Sequence, residues 1–150
     1  MKRRKGFTLV ELIIVIAVIA ILVGIALPRL RGMIDEGNTA KAAAELRALQ
    51  AGVESYYIHH SKAYPATGTT WESALTGATP TLIATALTDP FSTSSAQYQY
   101  NKTTDGKFYA IWSVGPDNTS DITFNTTTGA ITTADDDIYV SNGTSGTGGF

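Results

Sequence analysis

The residues able to do chemistry fall into three groups. A lone glutamate, Glu11, sits inside the apolar run "GFTLVELIIVIAVIAIL"; two histidines, His59 and His60, are adjacent; and aspartates gather late in the chain, Asp117 and Asp121 in "GPDNTSD" and Asp135, Asp136 and Asp137 in "TADDDIYV". Adjacent residues of a helix do not face the same way, so His59 and His60 cannot chelate one ion together. They read as a polar helix end, favoured by the helix dipole. Three consecutive aspartates repel one another unless water or a hard cation neutralises them. Read alone, they make either a solvated acidic turn or a calcium site, where carboxylates and carbonyls from flexible loops are the natural ligands. The EF-hand pattern D-x-D-x-D-G is absent. No cysteine is present, which excludes disulfides, thiolate metal sites and cysteine nucleophiles. The chain has no G-x-S-x-G, no H-E-x-x-H and no Walker loop, so a membrane-tethered enzyme is the least supported reading and no nucleotide site is expected.

The elements that must position these residues are of two materials. Hydrophobic residues make up 43% of the 150, yet residues 12–27 hold no polar side chain, while the chain beyond residue 60 is rich in Thr, Ser, Gly, Asp and Asn. Charge is uneven too. The net is −2, but four of the 11 basic residues lie in "KRRK" at positions 2–5, and beyond Gly6 seven basic side chains face 13 acidic ones, a net of −6. So acidic a chain has no electrostatic footprint for nucleic acid. Four Asn-x-Ser/Thr sequons, at Asn101, Asn118, Asn125 and Asn142, are expected by chance among so many threonines.

A basic cluster before an apolar stretch implies export with the cluster held on the cytoplasmic side. The run from Phe7 to Leu27 is long enough to cross about 30 Å of hydrocarbon as a helix. "GIALPRLRGM" after it is a poor signal-peptidase site, so length and periodicity give a signal anchor. Glu11 is the anomaly, because a carboxylate at bilayer depth costs on the order of a few kcal/mol unless something pairs with it.

The residues "KGFTLVELIIVIAVIAIL" resemble the class III leader and N-terminus of type IV pilins and type II secretion pseudopilins. The resemblance implies that a prepilin peptidase cuts between Gly6 and Phe7, that Phe7 is N-methylated, and that Glu11 becomes the fifth residue of the mature chain. It implies a homopolymeric helical filament, minor pilins or pseudopilins, and an inner-membrane assembly platform with its ATPase. When helices stack with an axial stagger, Glu11 of one subunit can meet the Phe7 amine of a neighbour. Breaking a buried pair costs more than the pair contributes, so Glu11 would act as a register selector.

The helix is expected to continue to about His60. Leu46, Leu49, Val53 and Tyr56/Tyr57 form an amphipathic stripe, with Glu45 and Glu54 on the other face. Pro28, with Gly24, Gly32 and Gly37, should bend or locally melt the helix. After Tyr64-Pro65, "TLIATAL" is helix or strand, undecided. Residues 96–114 read as a hairpin turning at "TTDG", and "DITFNTTTGAITT" repeats the pattern, with Ile122, Phe124 and Ile131 around a turn. The fold class is therefore α+β, a type IV pilin-like fold with a long N-terminal helix (about 7–60) packed on three to four antiparallel strands. Its expected parts are a cleaved leader 1–6, a transmembrane and filament-core helix 7–28, a periplasmic or extracellular head 29–140, and a flexible tail 141–150.

"DPF…YQY…G…YAIWSVGPD…ADDDI" resembles the C-terminal region of the major pseudopilin of type II secretion, which implies one bound calcium. Carried over by position, Asp117, Asp136 and Asp137 are side-chain ligands and Val114 a carbonyl donor. The chain departs from that pattern by "NTSDITFNTTTGAITTA", an added hairpin between the acidic elements. The expected function is a structural subunit of the type II secretion pseudopilus, anchored by a single pass in the inner membrane before assembly. The alternative is a major or minor pilin of a type IV pilus.

Overall fold

The computed structural model describes residues 6–132 and 135–143. By its internal contacts the chain divides into two units, Met1–Glu36 and Gly37–Phe150. One helix, α1 (Leu9–His59), supplies residues to both.

In the first unit α1 is apolar all round over residues 12–27. The large apolar side chains from Phe7 to Ile34 are between 48% and 89% exposed, with none buried. A helix without a polar face needs an apolar surrounding. This one is long and apolar enough to cross a membrane. Helical structure continues through Gly24, Pro28, Gly32 and Gly37, so the expected melting does not occur. Pro28 has no N–H to give the Gly24 carbonyl, and that lost bond is its local effect on the helix.

In the second unit α1 becomes one-sided. Ala42, Leu46, Leu49 and Val53 are fully buried, and Tyr56 and Tyr57 pack beside them. The stripe faces a three-stranded antiparallel sheet ordered β1 (Gln99–Lys102), β2 (Tyr109–Ser113), β3 (Ile138–Ser141). Tyr100, Ile111 and Val140 stand in register across the strands and join the helix-side core. Glu45 and Glu54 do not lie on an outer polar face as expected. Glu45 accepts the Tyr98 hydroxyl at 2.6 Å and Glu54 the Tyr109 hydroxyl at 2.8 Å. At about 100° per residue, these two positions fall on opposite flanks of the buried stripe, where long side chains reach past it to the sheet.

α1 ends without glycine. Ser61 and Lys62 both take positive φ, 52° and 58°, and the Lys62 N–H returns to the Tyr57 carbonyl at 3.1 Å. His59 and His60 each bring Nδ1 to the carbonyl four residues back, at 2.8 and 3.1 Å, capping the last turn. The histidines therefore play the polar-end role expected of them.

The expected 96–114 hairpin forms as β1 and β2. The second, at Asp121–Thr132, is reduced to one bridge, Phe124 to Ile131. Its role is to cover the sheet's far face, where Ile131 joins Ala110, Trp112 and Tyr139, with Ile122 and Phe124 packed alongside. "TLIATAL" is neither helix nor strand, and a short helix α2 (Glu72–Thr76) precedes it. The expected tail begins too early: Ser141 ends β3, and Asn142 is bonded into the head. Residues 144–150 lie outside the described residues.

Candidate functional site

Two regions carry the polar chemistry, and each is built from local rules. At the start of α1, Thr8 is the N-cap and Glu11 the third helical residue. The Thr8 hydroxyl accepts the Glu11 N–H at 3.2 Å, and Glu11 Oε2 accepts both the Thr8 N–H at 2.9 Å and its hydroxyl at 3.0 Å. This reciprocal pair is a capping box. It satisfies two of the N–H groups that every helix start leaves without an intrahelical acceptor. Glu11 thus has a partner within its own chain, which the reading of Glu11 as an intersubunit residue alone overlooked. The signal was in the sequence: Thr-x-x-Glu before an apolar run.

The acidic region is assembled at the end of β2. Asp89, buried, accepts the Ser113 hydroxyl at 2.7 Å and the Phe91 N–H at 3.0 Å on Oδ1, and the Val114 N–H at 3.0 Å on Oδ2. It ties the "DPF" loop to the point where the chain leaves the sheet. Gly115 follows with φ of 69°, and a β-carbon there would lie 2.6 Å from the Asp136 carbonyl oxygen and 2.9 Å from its Oδ1. Only glycine fits both that conformation and that contact. The two acidic loops press together as a result. Asp136 Oδ2 accepts the Asp117 N–H at 2.9 Å, and Asp117 Oδ1 accepts the Thr119 N–H at 2.7 Å.

Carboxylate oxygens of Asp117, Asp121 and Asp136 lie within 4.8 Å of one another. Asp121 was absent from the expected ligand set. Asp137, which was in it, turns its Oδ2 to the N–H groups of Asp121 at 2.6 Å and Ile122 at 2.8 Å and so pins the chain entering the added hairpin. Burial, then the neighbouring Asp121 and Asp136 charges, push the Asp137 carboxyl up from its ordinary value, against the pull of those two N–H donors. Val114 contributes its N–H to Asp89, and nothing in the geometry assigns its carbonyl. Asp136 Oδ1 and Asp137 Oδ1 are buried with no hydrogen-bond partner among the described residues. Buried acceptors left so, beside three gathered carboxylates, fit a hard cation by donor chemistry.

A long apolar helix opening on one capped glutamate, with its second half laid on a small antiparallel sheet, defines a pilin-like α+β subunit. The comparisons with known proteins agree. Residues 29–128 match the family described as "Type II secretion system (T2SS), protein G", and residues 1–27 match the "Prokaryotic N-terminal methylation motif". The chain belongs to the type II secretion protein G family, which is one of structural pilins and pseudopilins. Among its relatives are a "Type II secretion system core protein G" of Klebsiella pneumoniae, 33% identical over 67 residues, 45% of this chain and 47% of that protein. A "Fimbrial protein" of Pseudomonas aeruginosa is 44% identical over 55 residues, 37% of this chain and 36% of the relative. A "Type IV major alpha-pilin" of Moraxella bovis is 46% identical over 55 residues, 37% and 35%. The matched stretch spans less than half the length of these curated relatives. No solved structure matches.

Proposed function

We propose that this chain is a filament subunit of a type II secretion pseudopilus, polymerising through α1 to drive or scaffold protein export. One observation carries the reading. Among its described residues, the unit that ends at Glu36 exposes every large apolar side chain from Phe7 to Ile34, and its apolar run from Phe7 to Leu27 holds one acidic residue, Glu11. Such a surface is poorly suited to water by itself. It fits a bilayer before assembly and the helices of other copies afterwards, with no catalytic role required.

In that reading a prepilin peptidase cuts after Gly6 and Phe7 is N-methylated. The charged amine of Phe7 then lies beside the capping box, and a neighbouring subunit's amine can engage the same carboxylate. The leader stays cytoplasmic, the head is periplasmic, and growth depends on an assembly platform, its ATPase and minor pseudopilins.

The acidic loops would hold one calcium through Asp117, Asp121 and Asp136. Bound there, the ion would neutralise three converging carboxylates. The chain's own part is positional: Asp89 and Gly115 bring one loop to the other, and Asp137 fixes the chain entering the added hairpin between them. In a chain without cysteine, such a bridge would restrain the C-terminal loops as a disulfide does elsewhere.

A type IV pilus is the second reading, favoured by the pilins of 44–46% identity among the relatives. The deciding experiment deletes the gene and scores secretion and surface filaments together. Secreted enzymes held in the periplasm with pili intact support the pseudopilus. Normal secretion with loss of pili assigns the chain to a pilus instead.

A further inference from the structure

The last described turn of the chain contains the dipeptide Asn142-Gly143. In an open chain this pair is chemically labile. The Gly143 amide nitrogen, after losing its proton, attacks Cγ of Asn142. The Cγ–Nδ2 bond breaks, ammonia leaves and a five-membered succinimide forms. Water then opens the ring to aspartate or isoaspartate. Glycine allows the reaction because no side chain hinders the approach of its nitrogen.

Here both partners of that reaction are held apart from it. The Asn142 carboxamide makes three hydrogen bonds: Oδ1 accepts the Tyr109 N–H at 2.8 Å, while Nδ2 donates to the Tyr64 hydroxyl at 2.9 Å and the Lys107 carbonyl at 3.0 Å. The would-be nucleophile is also engaged, since the Gly143 N–H donates to Ser141 Oγ at 2.9 Å. Neither residue is readily replaced. A β-carbon at position 143 would lie 2.6 Å from the Gly129 carbonyl oxygen. Only a carboxamide offers one acceptor and two donors to these three groups. Packing therefore requires a labile pair at the edge of the sheet.

We propose that Asn142-Gly143 is a latent deamidation site that the native fold keeps silent, and that its conversion marks and unlatches subunits whose last strand has opened. The product cannot rebuild the latch. An aspartate at 142 sets a carboxylate oxygen against the Lys107 carbonyl, two acceptors with no proton between them. Isoaspartate adds a methylene to the main chain just beyond β3. Either product weakens the tie between the end of β3 and the start of β2.

The test incubates the full chain in detergent at mildly alkaline pH, with and without guanidinium. Mass spectrometry of the C-terminal peptide released after Lys107 then locates deamidation, with Asn118 and Asn125, each followed by Thr, as internal references. The expected result is that Asn142 converts first in denaturant and about tenfold or more slowly in the native chain, since reaction must await local opening. Ser141→Ala, which frees the Gly143 nitrogen, should accelerate the native reaction. Asn142→Asp should melt below the parent chain. Equal native and denatured rates at Asn142 would overturn the proposal, as would an unchanged melting temperature for Asn142→Asp.

Discussion

Glu72 shows at the scale of one residue how this head depends on solution conditions. Its side chain is fully buried in α2, one oxygen accepts the Leu87 N–H at 2.6 Å, and the other has no hydrogen-bond partner among the described residues. Burial first, then the Glu45 charge, push its carboxyl up to about 7, against the pull of the Leu87 bond. The folded state thus holds this proton more tightly than the unfolded chain does. The stability it contributes is complete below about pH 4.5 and is lost as pH rises through about 7. Glu72→Gln keeps the oxygen for Leu87 and removes the titration. Its melting temperature is expected to exceed the parent's at alkaline pH, with a smaller drop between mildly acidic and alkaline buffers. An unchanged pH profile in thermal unfolding would show that another group dominates. Nothing in "WESALTG" announced this. A glutamate in the first turn of a short helix reads as a solvent-facing dipole partner, and its burial depends on the loop that closes over it.

At the scale of elements, what could be read in advance were the features written as short periods. The stripe of Leu46, Leu49 and Val53 follows the helical repeat, and Leu49→Ala should cost about 2–5 kcal/mol in denaturant unfolding, as truncations of fully buried leucines do. The turn at "TTDG" likewise gave β1 and β2. Other elements escaped because long-range contacts decide them. Phe124 and Ile131 look like a hairpin in sequence, but their apolar side chains are drawn onto Trp112 and Tyr139 rather than into a ladder. "IYVS" was masked by the aspartates before it and becomes β3 only because β2 offers an edge. The end of α1 is a further case. Ser61 and Lys62 hold a left-handed conformation that costs about 1–2 kcal/mol per non-glycine residue. Ser61→Gly is therefore expected to raise stability by up to about 1 kcal/mol in the same unfolding assay.

At the scale of the whole molecule, the N-terminal motif was legible because it is local. The acidic site was legible only in outline. Asp117 and Asp136 were recognisable as acids of facing loops, but Asp121 replaces Asp137 in the cluster because Gly115 and the added hairpin set the final approach. That exchange is testable. With calcium present the head should melt higher than with chelator, by mass action on the folded state. Asp121→Asn should lose most of that difference; identical curves for the parent chain with and without chelator would discard the site. In the proposed filament, assembly would rest on the other end of the chain. Glu11→Ala is expected to leave processing after Gly6 intact while filaments, counted by electron microscopy, disappear. Thr8→Ala, which removes the cap but keeps the carboxylate, should impair assembly less. Filaments of normal abundance from Glu11→Ala would remove the register argument.

The two carboxylates that straddle the stripe of α1 have a mechanical consequence. Glu45 and Glu54 grip Tyr98 and Tyr109 from opposite flanks of the helix, at points about 13 Å apart along its axis. A single grip would be a pivot, about which the sheet could swivel when the helix is pulled or turned. Two grips on opposed sides of the buried stripe resist rotation of this half of the helix against the sheet.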